Sequence, residues 1–469
     1  MSRKRSAGLK RLHLLFRACL ASSLLFLFNL SFQGSAVAEE GDGDWTDHLP
    51  FDVSGRYHVD YWGRWNTGDS EDDQQLFQYL NLRLDNIVSD KVSLRFSGRL
   101  TAELDGNDAG DDFFADIYDT FDHSVNGRIY YLYLDVKDPL FRHSNLRLGR
   151  QYSYEAETVL FTGVKYEQTL DRLRYYLQGG LRGTHYTSPE DDDTLGGVGL
   201  DYRILRNTTV GYDYLRVVDD FLDDDYHSVD VFQRLGSLKA YAQLSILNDE
   251  ADDLNLFGSY YHSPLDLNLT ARYYALLTRR DRLTNEFSPL FDIGGFDPDD
   301  PRTLSAYFPF HLVNLTAYKG WWDTFATSCG FETRWMDDND ERNDFNREYD
   351  RVFFTIDVWN VLSEGLSTSF TVEYWDVDAG EDSIAFGLDA EKKLNDRLDI
   401  GAGAYFSRYR LRSTFNGMTF SEDIETPSLY CRLKCKLREN IDVVARYQIE
   451  DEDDLGTSHE LRLGCSIEF

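Results

Sequence analysis

A chain of 469 residues with 82 acidic against 48 basic side chains, and hence a net charge of −34, repels polyphosphates, which excludes nucleic-acid binding as its role. Strong charge in a chain poor in bulky apolar residues would read as disorder, but 15% of these residues are aromatic, and that much ring surface must be covered by protein or lipid. A mean hydropathy of −0.48 does not exclude a membrane protein built from strands, because every second strand residue then faces water and the loops lie outside.

The amino end reads as an export signal. Arg3, Lys4, Arg5, Lys10 and Arg11 precede an apolar run from Leu14 to Leu30, and the small-residue site Ala36, Val37, Ala38 follows, so cleavage is expected between Ala38 and Glu39. Arg17 inside the run argues against a retained anchor helix and makes Cys19 a poor lipid-attachment site. Loss of residues 1–38, which hold six basic and no acidic side chains, takes the net charge from −34 to −40. Beyond them no apolar stretch is long enough for a spanning helix, so any membrane crossing falls to strands. Residues 39–50 form a short periplasmic lead segment with no room for a plug domain, and 51–469 are expected to be barrel.

From Phe51 to Trp65 the apolar Phe51, Val53, Tyr57, Val59 and Tyr61 alternate with Asp52, Ser54, Arg56, His58, Asp60 and Arg64, the period of a strand with one oily and one wet face. Leu80, Leu82 and Leu84 mark a second strand, and Val92 to Leu104 a third, with a turn through Asn86 to Asp90. The clearest alternation runs from Leu265 to Leu277. Similar patterns cover Tyr130 to Val136, Val198 to Ile204, Leu238 to Ile246, Phe325 to Trp335, Val352 to Val358, Leu366 to Tyr374, Ile384 to Ala390, Leu398 to Phe406, Leu429 to Leu437 and Ile441 to Ile449. The chain thus predicts an all-β, antiparallel, up-and-down transmembrane barrel of about 22 strands, within a range of 18 to 22.

The connections alternate too. With the amino end in the periplasm, odd-numbered connections face outward, and these are the acidic ones: Asn66 to Gln75, Asp105 to Gly127, Ser188 to Asp193, Asp219 to Asp225, Asp337 to Asp350, Asp376 to Asp382 and Glu450 to Thr457. Arg234 to Ser237, Ser363 to Gly365, Lys392 to Arg397 and Leu437 to Asn440 are the short periplasmic turns. A soluble β-sandwich or propeller does not account for this alternation together with an export signal.

Four cysteines follow the signal: Cys329, Cys431, Cys435 and Cys465. Cys431 and Cys435 lie on one face of one strand, about 13 Å apart at roughly 3.4 Å per residue, beyond the reach of a disulfide. All four fall at outward apolar positions and read as small lipid-facing hydrophobes. No Gly-x-Ser-x-Gly, Walker loop, His-Glu-x-x-His or Cys-x-x-Cys-His pattern occurs, so no enzymatic, metal or haem site is expected and no cofactor is assigned.

The final stretch alternates Leu461, Leu463, Cys465, Ile467 and Phe469 with Arg462, Gly464, Ser466 and Glu468. Here the chain resembles Gram-negative outer-membrane porins, whose assembly signal is a last strand ending in Phe. The resemblance implies location in the outer membrane as a multi-pass barrel, contact with outer-membrane lipid and with the barrel assembly machinery, and Phe469 as the signal residue. By alternation the lumen receives Arg56, Arg64, Arg83, Arg95, Arg99, Arg272, Arg334, Arg432, Lys434, Lys436, Arg446 and Arg462 against Asp52, Asp60, Glu103, Asp201, Asp213, Glu332, Glu373 and Asp389. Closure would gather Arg56, Arg64, Lys434, Lys436, Arg446 and Arg462 on one wall, an arrangement similar to the basic ladder along which porins pass anions. The expectation is passive passage of small hydrophilic solutes or ions. The alternative is a sheath resembling the barrels of metal-reducing bacteria, which enclose a multihaem c-type cytochrome. In the porin reading long loops fold inward, with Asp105 to Gly127 and Thr278 to Ser305 the candidates.

Overall fold

Alternation of apolar and polar residues does not by itself say how strands pair; the backbone requirement does. In lipid every N–H and C=O must be satisfied within the protein, and a sheet meets that condition only when it closes. The computed structural model describes residues 51–67, 72–104, 124–183, 193–218, 223–279, 308–337, 347–377, 381–415, 418–452 and 456–469. The expected export signal, with Ala38 and Glu39, the lead segment and most of both candidate inward loops lie outside the described residues.

Twenty-two strands follow in order. They are β1 (Asp52–Asn66), β2 (Asp72–Asp85), β3 (Val92–Glu103), β4 (Val125–Lys137), β5 (Ser144–Ser153), β6 (Val159–Leu170), β7 (Leu173–Gly183), β8 (Thr194–Leu205), β9 (Thr208–Val218), β10 (Asp223–Leu235) and β11 (Leu238–Leu247). The second half comprises β12 (Glu250–His262), β13 (Leu267–Leu276), β14 (Phe310–Trp322), β15 (Phe325–Met336), β16 (Tyr349–Trp359), β17 (Leu366–Val377), β18 (Glu381–Asn395), β19 (Leu398–Phe415), β20 (Met418–Arg438), β21 (Ile441–Glu452) and β22 (Gly456–Glu468). Each pairs antiparallel with its sequence neighbours, and β1 also pairs with β22 from Arg56↔Glu468 to Asn66↔Ser458, so the sheet is a closed 22-stranded antiparallel barrel.

The closing seam depends on one small residue. Gly55 N–H donates to the Phe469 carbonyl at 2.8 Å and the Phe469 N–H returns a bond to Gly55 at 3.1 Å. A Cβ on Gly55 would stand 2.8 Å from the Phe469 ring and 2.5 Å from the Asn81 carbonyl oxygen. Glycine therefore makes room for the terminal ring against β1.

Outward positions carry Leu132, Val198, Leu200, Val229, Leu256, Leu269, Leu315, Val352, Phe354, Phe386, Leu388, Leu429 and Leu463, all exposed. A continuous apolar band of this extent is a surface for lipid rather than water. Cys329, Cys431, Cys435 and Cys465 are free and belong to this outward set; Cys435 and Cys465 both flank Val443 on their shared neighbour β21. The inward set is polar and in places dry: Ser97, Thr101, Gln151, Ser228 and Ser428 are buried.

The even-numbered connections are tight. Asn86, Asp138, Asp171, Asp266 and Asn360 take positive φ there, as do Gly236 and Gly365, the left-handed backbone that Asn, Asp and Gly adopt at least cost. Lys392 belongs to β18, so that turn is Asp396 and Arg397 alone, narrower than expected. The odd-numbered connections are less uniform than the acidic runs imply. β11 and β12 are joined by Asn248 and Asp249, both at positive φ, a two-residue hairpin turn. β19 and β20 extend as a two-stranded ribbon past their other neighbours: β20 pairs with β21 only from Ser428 onward, where Pro427, which has no N–H to donate, interrupts the ladder.

Candidate functional site

The inward face of β20, β21, β22 and β1 forms one wall, because closure places β1 beside β22. Arg432 lies opposite Arg446, Arg446 opposite Arg462, and Arg462 opposite Trp62, so three guanidiniums and an indole occupy one level. Arg446 stacks on Tyr430 at 4.6 Å, and Arg462 and Arg64 both stack on Trp62, at 4.6 and 4.4 Å. Stacking holds each side chain along the wall without neutralising it.

The six expected basic residues do share this wall, with different partners. Arg64 is paired with Asp73. Arg462 Nε meets Glu460 at 2.6 Å, and Arg56 Nε donates to Ser466 Oγ at 2.6 Å. Arg446 donates to the neutral Gln448 amide oxygen at 2.9 Å. Lys434 and Lys436 are exposed and form no ion pair among the described residues. Directly opposed like charges in a sheet cost up to about 1 kcal/mol each. Arg432 is paired with Glu391 and Arg462 with Glu460, so of the three opposed guanidiniums Arg446 alone has no carboxylate partner among the described residues.

The expected acidic residues face the same lumen but are spent on bracing. Asp52 accepts from Asn86, and Asp60 faces His58 at 2.7 Å. Glu103 is buried in the wall. Glu332 accepts from Asn314 Nδ2 at 2.7 Å and Tyr349 Oη at 2.8 Å, and Glu373 takes two bonds from Arg351, at 3.0 and 3.1 Å. Asp201 is held by Arg174 at 2.7 Å. On this face the carboxylates stiffen the barrel while several cations stay available.

The basic wall continues past β1 through Arg83, Arg95 and Arg99, which alternation already assigned to the lumen, to Arg128, Arg147 and Lys165, which it did not. Arg83 lies opposite Arg95, Arg99 opposite Arg128, and Arg147 opposite Lys165, which carries the arc from β2 to β6. Arg147 stacks on Tyr133 at 4.8 Å. Arg128 escapes simple alternation because the β3–β4 register shifts between Ser97 and Gly98, and inward positions change from even to odd numbers along β4.

The wall built by β6 to β10 is dry in part. Inward residues Val159, Phe161, Leu195, Leu215, Val217 and Tyr226 form a dry cluster together with Ala156 from the β5–β6 connection. That connection folds against the wall and is tied there by the pair of Glu155 and Lys165, by Ser153 Oγ donating to Glu155 at 2.7 Å, and by Gln178 Nε2 donating to Ser153 at 2.7 Å. Burial alone would raise the Glu155 carboxyl, but Lys165, Ser153 and the Tyr154 N–H hold it below its ordinary value. An inward strap was expected from longer loops. This one is five residues, too short for its composition to stand out.

No protein-family model and no curated protein sequence matches the chain. Among solved structures it is similar to Acinetobacter baumannii OccAB1, at 11% identity with 89% of this chain and 96% of that one covered and a TM-score of 0.40. For Acinetobacter baumannii OccAB3 the figures are 10%, 89%, 99% and 0.42. For Pseudomonas aeruginosa OpdK with vanillate they are 12%, 89%, 98% and 0.37.

Proposed function

We propose that this protein is an outer-membrane channel of porin type that passes small hydrophilic solutes or ions passively, with a route for small oxyanions along its basic wall. The observation that carries the reading is the contiguous row Arg432, Arg446, Arg462, whose central Arg446 stacks on Tyr430 and has no carboxylate partner among the described residues, together with the exposed Lys434 and Lys436 on the same strand as Arg432. A wall of fixed cations beside a water path raises local anion concentration.

In this reading residues 1–38 are the export signal, Phe469 takes part in insertion by the barrel assembly machinery, and the short-turn rim faces the periplasm. The acidic rim outside then contributes a weak cation preference that fades beyond a Debye length, about 8 Å at physiological salt. The test is the purified barrel in planar bilayers. Ion conductance by the protein alone, with a reversal potential that moves when Arg446 and Arg462 become Glu, supports the channel. A barrel that conducts nothing until an exported multihaem cytochrome is added would favour the sheath instead.

A further inference from the structure

Three outward-facing Tyr and His pairs repeat one geometry around the barrel. Tyr212 and His227 are joined at 2.8 Å, Tyr273 and His311 at 2.7 Å, and Tyr447 and His459 at 2.7 Å, each from the phenol oxygen to the ring Nδ1. The register is the same every time. Tyr212 lies opposite Val229, Tyr273 opposite Val313 and Tyr447 opposite Leu461, and in each case the histidine is two residues from that partner toward the acidic rim. All three pairs sit on hairpins joined by odd-numbered connections. His459 further stacks on Trp65 at 5.5 Å, and His311 on Trp335 at 5.1 Å.

The depth of these rings is also fixed. On the outward face of β10, Val229 and Val231 lie below His227 and Asp225 above it; on β22, Leu461 and Leu463 lie below His459. From Leu461 to Phe469 is nine residues, within the roughly 9 to 11 that a strand needs to cross the hydrocarbon. The histidines therefore stand where apolar surface ends, at the level of lipid headgroups.

At that level a lipid offers hydrogen-bond acceptors, ester carbonyls and phosphate oxygens, and the pairs convert an aromatic rim into a donor. His311 shows the direction of the bonds: its Nε2 faces the Asp337 carboxylate at 2.7 Å and so carries the hydrogen, which leaves Nδ1 to accept from Tyr273. With the same donor and acceptor roles at His227 and His459, Nε2–H is directed away from the tyrosine. Among the described residues neither Nε2 has a protein partner, whereas that of His311 is capped by Asp337.

We propose that His227 and His459 are seats for the phosphate of an outer-leaflet lipid, held by Nε2–H in a tautomer that Tyr212 and Tyr447 enforce, and that His311 is the capped member that binds none. The proposal rests on the outer-membrane reading, but its test does not depend on conductance. The full barrel, labelled with 15N at histidine, is placed in nanodiscs of phosphatidylethanolamine and phosphatidylglycerol, and dephasing of each Nε2 by 31P is measured. Dephasing at His227 and His459 but not at His311, reduced by Tyr212→Phe and Tyr447→Phe in barrels that remain heat-modifiable, is the expected result. No dephasing at the first two, or equal dephasing at all three, overturns the assignment. Dephasing by inorganic phosphate in phosphorus-free micelles would overturn the lipid as occupant.

Discussion

Replacing Arg446 and Arg462 together by Glu changes the fixed charge at one level of the lumen by four units, since two cations become two anions. For a solute ion about 8 Å from these side chains in water, each unit contributes about 0.5 kcal/mol unscreened and roughly 0.2 kcal/mol at 0.1 M salt, where the Debye length is about 10 Å. Four units amount to about 0.9 kcal/mol, or roughly a fivefold fall in local anion concentration and an equal rise for cations. The anion-to-cation permeability ratio should then fall about twentyfold at 0.1 M. At 1 M salt, where screening acts within about 3 Å, the same variant should differ from wild type by less than about twofold. Reversal potentials across planar bilayers under a salt gradient measure both, with heat-modifiable migration as the control for folding. An unchanged ratio at low salt would mean that Arg446 and Arg462 do not border the conducting path. A large shift that persists at 1 M would mean that the variant had rearranged the lumen rather than its field.

Lys165→Met leaves Glu155 half-buried without its cation, and breaking such a pair costs about 3 to 5 kcal/mol. The strap should detach and single-channel conductance should rise or flicker, while Glu155→Leu with Lys165→Met restores a quiet channel; identical traces for all three proteins would show that the strap does not border the path. Because the Glu155 carboxyl is depressed below 4.5, its contribution is present above that value and lost as pH falls through the lower folded value, so conductance should stay constant from pH 8 to 5 and change only in stronger acid. Gly55→Val places side-chain carbon where the Phe469 ring and the Asn81 carbonyl stand, and should lower the yield of heat-modifiable barrel, as should deletion of Phe469. Asp249→Cys should label on intact cells and Asp396→Cys only after permeabilisation; the reverse pattern would invert the topology.

Much of the architecture could be read before any coordinates, because a strand with one face in lipid and one in water writes its period into the chain. The strand within the Leu265 to Leu277 alternation is legible for that reason, although Leu265 and Asp266 belong to the turn before β13, and so is the gathering of Arg56, Arg64, Arg446 and Arg462, which needs only the parity of each strand and closure of β1 on β22. What escaped depends on departures from parity or on contacts across the lumen. Arg128 is hidden by the bulge between β3 and β4. The strap at Glu155 is hidden because its partners, Lys165 and the cluster around Phe161, lie on other strands, and Val159 and Phe161 are apolar on the inward face where alternation expects polar residues. The three Tyr and His pairs were invisible because a diagonal contact requires knowing the register between strands.

The seam between Gly55 and Phe469 gives the barrel an unusual division of labour in folding. Every other junction joins strands adjacent in sequence and can form as a local hairpin, but β1 and β22 meet across roughly four hundred residues of chain. Loop-closure entropy and contact order concentrate on that one ladder, so the sheet has twenty-one quick joints and a single slow one. The position of the slow joint is a matter of connectivity rather than geometry: both of its strands end at the rim of short turns, two residues wide at Glu439 and Asn440. Joining β22 to β1 there and opening the chain at Glu439 and Asn440 would leave each of the twenty-two ladders in place and move the late-forming seam to β20 and β21, beside the break at Pro427.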